Sequence, residues 1–262
     1  MKNDSPILLH VPHASTSIPK EERSRFCLPD LDDELLKMTD RYCDELFTGY
    51  DAVVFPVSRL VCDPERFRDD AQESMSRIGM GAVYTKTSTG KLLRRITADE
   101  RECLLQRHYD PHHRLLTAAV EAKLQTHGRC LIVDGHSFHP VPLPYEPDQA
   151  PDRPDFCIGK DMYHTPPRLA EATIRFLQQA GFSVEMNRPY AGSIVPLQYY
   201  QRDHRVSSIM IEVNRRLYMT PYGKRGLAFT MTKKTIATLL ECLSGLIVPQ
   251  SAFNNRASYD TI

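Results

Sequence analysis

A chain of 262 residues, 41 % hydrophobic and 25 % charged, has the composition of an ordinary globular domain and enough length to bury a proper core. Its 33 basic residues balance its 33 acidic ones, so no net field draws it to nucleic acid or to an anionic membrane, and neither partner is expected. Seven scattered cysteines, never in a CxxC pair, exclude a disulfide framework or a cysteine zinc knot and fit reduced thiols in the cytoplasm.

The N-terminal apolar stretch "ILLHV" (7–11) is too short for a signal peptide and reads as a strand. No later run approaches the roughly 20 apolar residues of a membrane span. Residues 30–50 carry Leu35, Leu36, Met38, Tyr42, Leu46 and Phe47 at near-helical spacing. "AVVF" (52–55) and "SRLVCD" (58–63) are strand-like, and a polar region follows to about Gly90, with "AVYTK" (82–86) as a short strand. Thr97 and Glu100 form a capping box opening a long helix toward Gly128, which Pro111 should kink or divide. "CLIVDGHSF" (130–138) is the strongest strand, and "DFCIG" is another. Thr165 as N-cap and Gly181 as C-cap bracket a helix. "FSVEMN", "SIMIEVN" and a last helix within 227–246 complete the alternation. Strand followed by helix, repeated, predicts an open α/β sheet with parallel strands. The polar segment 249–262 reads as a tail behind a catalytic domain spanning 1–248.

Several apolar runs end in polar groups of one kind. They are His13 after the first strand, Asp63 after "SRLVC", Asp134 and His136 after "CLIV", and Glu212 and Asn214 in "SIMIEVN"; the early helix adds Asp40 and Asp44. Strand ends gather at one rim of an α/β sheet, where ligands bind. Two imidazoles and a carboxylate that leave one position open make a catalytic zinc site, and a further carboxylate must then take a proton from water. Each has a plainer reading. A histidine at a strand end is commonly a hydrogen-bonded loop residue, and Asp134 is equally a turn former. Asp40 and Asp44, four apart on one helix face, cost each other roughly 0.2–0.5 kcal/mol unless a cation or solvent relieves them. Glu212 is the most informative, because an unpaired carboxylate inside a central strand is expensive. It is either neutralised by Arg215 or Arg216, or poised as a base.

The cluster "RHYDPHHRLL" (107–116) resembles a metal site only in composition, since it lacks an HExxH pattern. The GxG at 79–81 lacks a strand-turn-helix context, and no GxSxG elbow is present. Arg59 and Arg66 flank Asp63, Arg188 precedes "PYAGS", and Arg215 follows Glu212. Arginine forks bind carboxylates bidentately, so these arginines suit a small acidic substrate, or else they hold loops by pairing with Asp63, Glu65 and Glu212.

"VPHASTSIP", "MTDRYCDELF", "SRLVCDPERF", "LIVDGHSF", "DFCIG", "NRPYAGSIVP" and "IEVNRRLYM" together resemble, in order, the blocks of the N-formylglutamate amidohydrolase family. That family is similar in fold to zinc-dependent exopeptidases and to zinc amidases that trim bacterial cell walls. The resemblance implies a single doubly wound α/β domain with a mixed, largely parallel sheet. It implies one zinc per chain held by His13, Asp40 and His136, with Asp44 or Asp63 as substitutes for Asp40. It implies that Glu212 acts on the water, that Arg59, Arg66, Arg188, Asn214 and Arg215 bind substrate, and that Asp44, Asp63 and Asp134 support the ligands. The expected substrate is a small acidic N-acyl amino acid, N-formyl-L-glutamate first, on a monomer or small homo-oligomer. Two blocks depart from the family: Glu65 replaces the usual Asn, and "PHAS" replaces Pro-His-Ser-Gly. The first departure, beside Arg66, leaves open another N-acyl amino acid or small amide. A zinc peptidase or cell-wall-type amidase, and a binding protein that keeps the fold without catalysis, are the competing readings.

Overall fold

All residues of β1 (Ile7–Val11) and of β3 (Cys130–Phe138) are buried, as expected of central strands covered on both faces. The computed structural model describes residues 4–28 and 31–247. Between and after those strands run α1 (Lys20–Arg23), α2 (Leu31–Met38), α3 (Cys43–Leu46), β2 (Asp51–Val54), α4 (Ala98–Leu104), α5 (Asp110–His127), β4 (Phe156–Gly159), α6 (Pro167–Gln179), β5 (Val184–Met186), β6 (Val206–Asn214) and α7 (Phe229–Ile247). The strands form one sheet in the order β2-β1-β3-β6-β4-β5. Every pairing is parallel except β4 against β6. This is the mixed, largely parallel α/β sheet that the alternating pattern predicts.

Strand alternation divides the core. Ile7, Leu9, Val11, Leu131, Val133, Ile209, Ile211 and Val213 face one side, against α3, α6 and α7. Leu8, Cys130, Ile132 and Val206 face the other, against Leu116 and Val120 of α5. Burying each such side chain contributes roughly 1.5–3 kcal/mol, so helices on both faces are what hold the sheet. The second face is apolar only as far as α5 covers it. Beyond Leu8 and Ile132 it turns polar, with His10, Asp134 and His136 at successive alternate positions.

The early helix is broken in the structure. α2 ends at Met38, Tyr42 takes a left-handed conformation with φ of 69°, and α3 follows. Asp40 lies in the break with its backbone N–H bonded to the His13 carbonyl at 2.9 Å. Asp40 and Asp44 therefore do not share a helix face. The capping box at Thr97 and Glu100 is present, and the helix it opens runs through a wide π turn, Leu105–Tyr109, into α5. That turn sits immediately before Pro111, whose ring and missing N–H cannot fit a regular i−4 bond. Pro166 rather than Thr165 caps α6, because the Thr165 hydroxyl donates to the Ser208 carbonyl at 2.6 Å instead.

"SRLVCD" and "AVYTK" are mostly buried but form no strand, Lys86 making only an isolated bridge to Leu92. Val61, Cys62, Ala82 and Val83 pack with Phe55, Leu104 and Leu105, while Leu60 and Tyr84 pack with Leu35 and Met38. The carbonyls of Leu60 and Val61, which a neighbouring strand would bond, accept instead from the Arg94 guanidinium at 3.0 and 2.7 Å. An apolar β-branched run signals burial, and here an arginine supplies the missing ladder. The expected tail at 249–262 lies outside the described residues.

Candidate active site

The sheet register builds the site. His10 pairs with Asp134, and His136 pairs with Glu212, on adjacent parallel strands, so these side chains share one face near the strands' C-terminal ends. His13 follows β1 by two residues. An open cavity of about 1250 Å³ lies here, lined by His13, Asp40, Glu65, His136, Glu212 and Arg215 among others.

Both strand-end histidines are held by carboxylates, His13 through one nitrogen and His136 through both. His13 Nε2 is 2.8 Å from Asp63 Oδ1, and Asp63 in turn accepts from Arg59, at 2.7 and 3.1 Å, and from the Tyr84 hydroxyl at 2.7 Å. His136 Nδ1 is 3.2 Å from Asp40 Oδ2, and Asp40 accepts from Arg215 Nη2 at 2.9 Å. His136 Nε2 and His13 Nδ1 converge on Glu65 Oε2, at 3.0 and 4.0 Å. His13 Nδ1 is buried and has no hydrogen-bond partner among the described residues. Such an orphan is unusual inside a protein and needs an explanation.

Burial works against ionising Asp40, but the neighbouring His13 and His136 imidazoles and the Arg215 charge outweigh it and hold its carboxyl well below the usual range. Asp63 is held low in the same way, burial being outweighed by Arg59, His13 and Arg66. His136 is pushed up: burial opposes its charge, but Glu65 and Asp134 dominate. Glu212 goes the other way. Burial, reinforced by Asp40 and Glu65, raises it to about 8 despite His136 and Arg215. Its Oε2 is buried without a partner.

One donor atom each from His13, Glu65 and His136 lie within 4.8 Å of one another. Two imidazoles and one carboxylate, with each imidazole fixed by a second carboxylate, fit a catalytic zinc ion. The orphaned His13 Nδ1 is the atom such an ion would satisfy. The sequence reading makes Asp40 the third ligand and Glu65 a departure from the family block or an arginine partner. Asp40 does stand near both rings, 3.7 Å from His13 Nδ1, but it is already paired with Arg215. The missed signal was Asp63-Pro64-Glu65: Asp-Pro initiates turns, and the Glu65 N–H bonds back to Asp63 Oδ1 at 3.0 Å, which carries the Glu65 side chain inward.

The remaining expected site residues divide. Arg59, Arg66 and Arg215 line the cavity; Arg215 is pinned by Asp40 and the Lys37 carbonyl at 2.6 Å, while Arg66 gives its Nε to the Met80 carbonyl. Asp134 lies beneath His136, 3.0 Å from Nε2, where burial is outweighed by His136 and His10 and its carboxyl is held low. Three residues are not brought in. Arg188 is tied up by Asp148, Asp152 and Glu185 and does not line the cavity. Asn214 is fully buried, capping a 3-10 turn and donating to the Pro154 carbonyl. Asp44 is exposed on α3. His113 of the "RHYDPHHRLL" cluster bonds the Pro64 carbonyl, and His112 reaches His10, Nε2 to Nε2, at 2.9 Å.

The sequence profile of the N-formylglutamate amidohydrolase family matches residues 5–219. A crystallised N-formylglutamate amidohydrolase from Ralstonia eutropha JMP134 superposes with a TM-score of 0.82 at 24 % identity, covering 93 % of this chain and 94 % of that one. The gene product Atu2144 from Agrobacterium tumefaciens superposes with a TM-score of 0.64 at 23 % identity, covering 96 % of this chain and 92 % of that one. No curated protein matches the sequence significantly. At these identities the superpositions establish the fold, and the profile, which spans most of the chain, establishes the family: the chain belongs to the N-formylglutamate amidohydrolases.

Proposed function

We propose that the chain is a zinc-dependent hydrolase that cleaves N-formyl-L-glutamate to formate and L-glutamate. The observation that carries the reading is the buried Glu212, whose Oε2 has no hydrogen-bond partner among the described residues, beside a histidine-carboxylate cluster that has an orphaned ring nitrogen. His13 through Nδ1, His136 through Nε2 and Glu65 are the residues that would hold the ion. Bound there, zinc would polarise the formyl carbonyl and lower the pKa of water toward roughly 7.

The chain's own residues account for the rest. Asp63 and Asp40 accept the outward N–H of each imidazole, which fixes the tautomer and leaves a lone pair pointing inward. Arg59 and Arg215 keep those two aspartates ionised and in place. Glu212 takes a proton from the attacking water and delivers it to the leaving amine. A carboxyl with a pKa near 8 is suited to hold that proton between the two transfers, since proton transfer is efficient when the pKa lies close to the working pH. Arg66 has its terminal nitrogens free of intramolecular hydrogen bonds among the described residues and lines the cavity, so it is the leading anchor for a substrate carboxylate. Arg59 and Arg215 supply further positive charge to the wall.

The catalytic unit on this reading is 1–248, acting in the cytoplasm. Among the described residues, no helix is long and apolar enough to cross a membrane. The test is formate release by the zinc-loaded protein from N-formyl-L-glutamate, beside N-formyl-aspartate, N-acetyl-glutamate and N-formyl-methionine. Preference for N-formyl-L-glutamate is expected; turnover of none of them, with zinc demonstrably bound, would overturn the reading.

A further inference from the structure

The Glu65 carboxylate has two oxygens, and they face different histidines. Oε2 is 3.0 Å from His136 Nε2, while Oε1 is 3.6 Å from His10 Nδ1. His10 Nδ1 is also 2.8 Å from Asp134 Oδ1. One donor atom each from His10, Glu65 and Asp134 lie within 4.8 Å of one another. His10 is completely buried and Asp134 is 1 % exposed.

We propose that a second divalent transition-metal cation binds between His10, Glu65 and Asp134, with Glu65 bridging it to the first ion. The inference rests on the reading of Glu65 as a ligand of that first ion. Three observations carry it. The donor set is one imidazole and two carboxylates, which suits zinc or manganese. The two carboxylates have no guanidinium or ammonium partner: among the described residues, the ion pairs of Glu65 and Asp134 within 4.0 Å are with histidines alone. Arg59 is committed to Asp63 and Arg215 to Asp40, and Arg66 reaches Asp63 but neither Glu65 nor Asp134 within 4.0 Å. A buried Asp134 and a half-buried Glu65 that meet without a fixed cation are costly unless something positive joins them.

His112 of α5 supplies the third observation. Its Nε2 stands 2.9 Å from His10 Nε2. When His10 donates its Nε2–H to His112, the His10 Nδ1 lone pair is left facing Asp134 and Glu65, the orientation a metal ligand needs. His112 then plays toward His10 the part that Asp63 plays toward His13. This gives a use to the "RHYDPHHRLL" helix: one of its histidines orients a ligand without binding metal itself. A carboxylate bridging two cations is a recurrent device in hydrolases, where the pair clamps the attacking and leaving atoms.

The test is metal stoichiometry. Protein stripped with chelator and reloaded with excess zinc, or with manganese in parallel, is desalted and its metal measured per folded chain, and crystals of the reloaded wild type are mapped by anomalous scattering. The inference expects two ions per wild-type chain, two anomalous peaks roughly 3.5–4 Å apart, and one ion in His10→Gln. One ion and one peak in the wild type would overturn it while leaving the first site intact. Two ions in both proteins would overturn it as well, since His10 would then not be a ligand. No ion in the wild type would overturn this inference and the reading of the first site together. The wild-type map decides the question even if His10→Gln fails to fold.

Discussion

His136 and Glu212 stand directly opposite each other on the parallel strands β3 and β6. Neighbours in register on adjacent strands point to the same face, so one backbone pairing delivers a candidate ligand and a candidate base side by side. Shifting β6 by one residue would turn Glu212 into the helix-covered core and Ile211 or Val213 into the cavity.

Glu212→Gln keeps the shape of the side chain and removes its ability to take a proton. Turnover of N-formyl-L-glutamate should fall by roughly 10²–10⁴-fold, the usual range for a general acid–base. Zinc content, measured by elemental analysis, should stay at the wild-type value. A variant that keeps a tenth or more of wild-type kcat would remove Glu212 from the reaction.

The same residue gives a pH-dependent stability. Its folded-state pKa of about 8 is raised above the ordinary value of 4.5, chiefly by burial. The folded state therefore prefers the protonated form. This contribution is fully present below about pH 4.5 and is lost as pH rises through about 8. Glutamine mimics the protonated carboxyl at every pH. In chelator-treated protein, Glu212→Gln should melt at a higher temperature than wild type at pH 9, with the gap closing toward pH 5. Equal melting temperatures at both pH values would contradict the buried-carboxyl account.

Arg66 and Arg188 separate a cavity arginine from a structural one. Arg66→Ala should raise KM for N-formyl-L-glutamate by roughly ten- to hundredfold, the loss of a charged hydrogen-bonded contact, with a smaller change in kcat. Arg188→Ala should leave KM unchanged, because its guanidinium is spent on Asp148, Asp152 and Glu185. Steady-state kinetics on both variants makes the comparison, and the reverse pattern would put the substrate elsewhere.

Gly135 lies between Asp134 and His136, and a Cβ there would come within 2.7 Å of the Phe47 ring. Phe47 is 2 % exposed in the core against α3, so it has little room to yield. Gly135→Ala should destabilise the fold by about 1–3 kcal/mol, read as a lower denaturant midpoint at unchanged slope. A midpoint equal to that of wild type would mean that the ring moves freely.

Much of this was legible in the sequence. Apolar runs ending in His13, in Asp134 and His136, and in Glu212 foretold the strand ends, because a buried strand tolerates such groups only where they find partners. Glu212 stood out for the same reason. The misreadings share a cause: local pattern reports burial and turns, but not which partner arrives from a distant segment. "SRLVCD" has the composition of a strand, yet Arg94 satisfies its carbonyls. The i, i+4 spacing puts Asp40 and Asp44 on one helix face, but the break before α3 carries Asp40 to His13. Arg188 and Asn214 sit in matching blocks, but their side chains are consumed by loop and cap contacts. Glu65 was visible as a departure and as an arginine partner but not as a ligand, since its inward direction depends on the turn that Asp63 and Pro64 make.

The measurement that bears most directly on the centre is the zinc affinity of Glu65→Ala beside Asp40→Asn, by competition with a chromophoric chelator. If Glu65 is a ligand and Asp40 orients His136, Glu65→Ala should lose tight binding, while Asp40→Asn should weaken it by roughly 10–100-fold, as for residues that hold a ligand in place. Retained tight zinc binding in Glu65→Ala, with binding abolished in Asp40→Asn, would contradict the account and return the third ligand to Asp40.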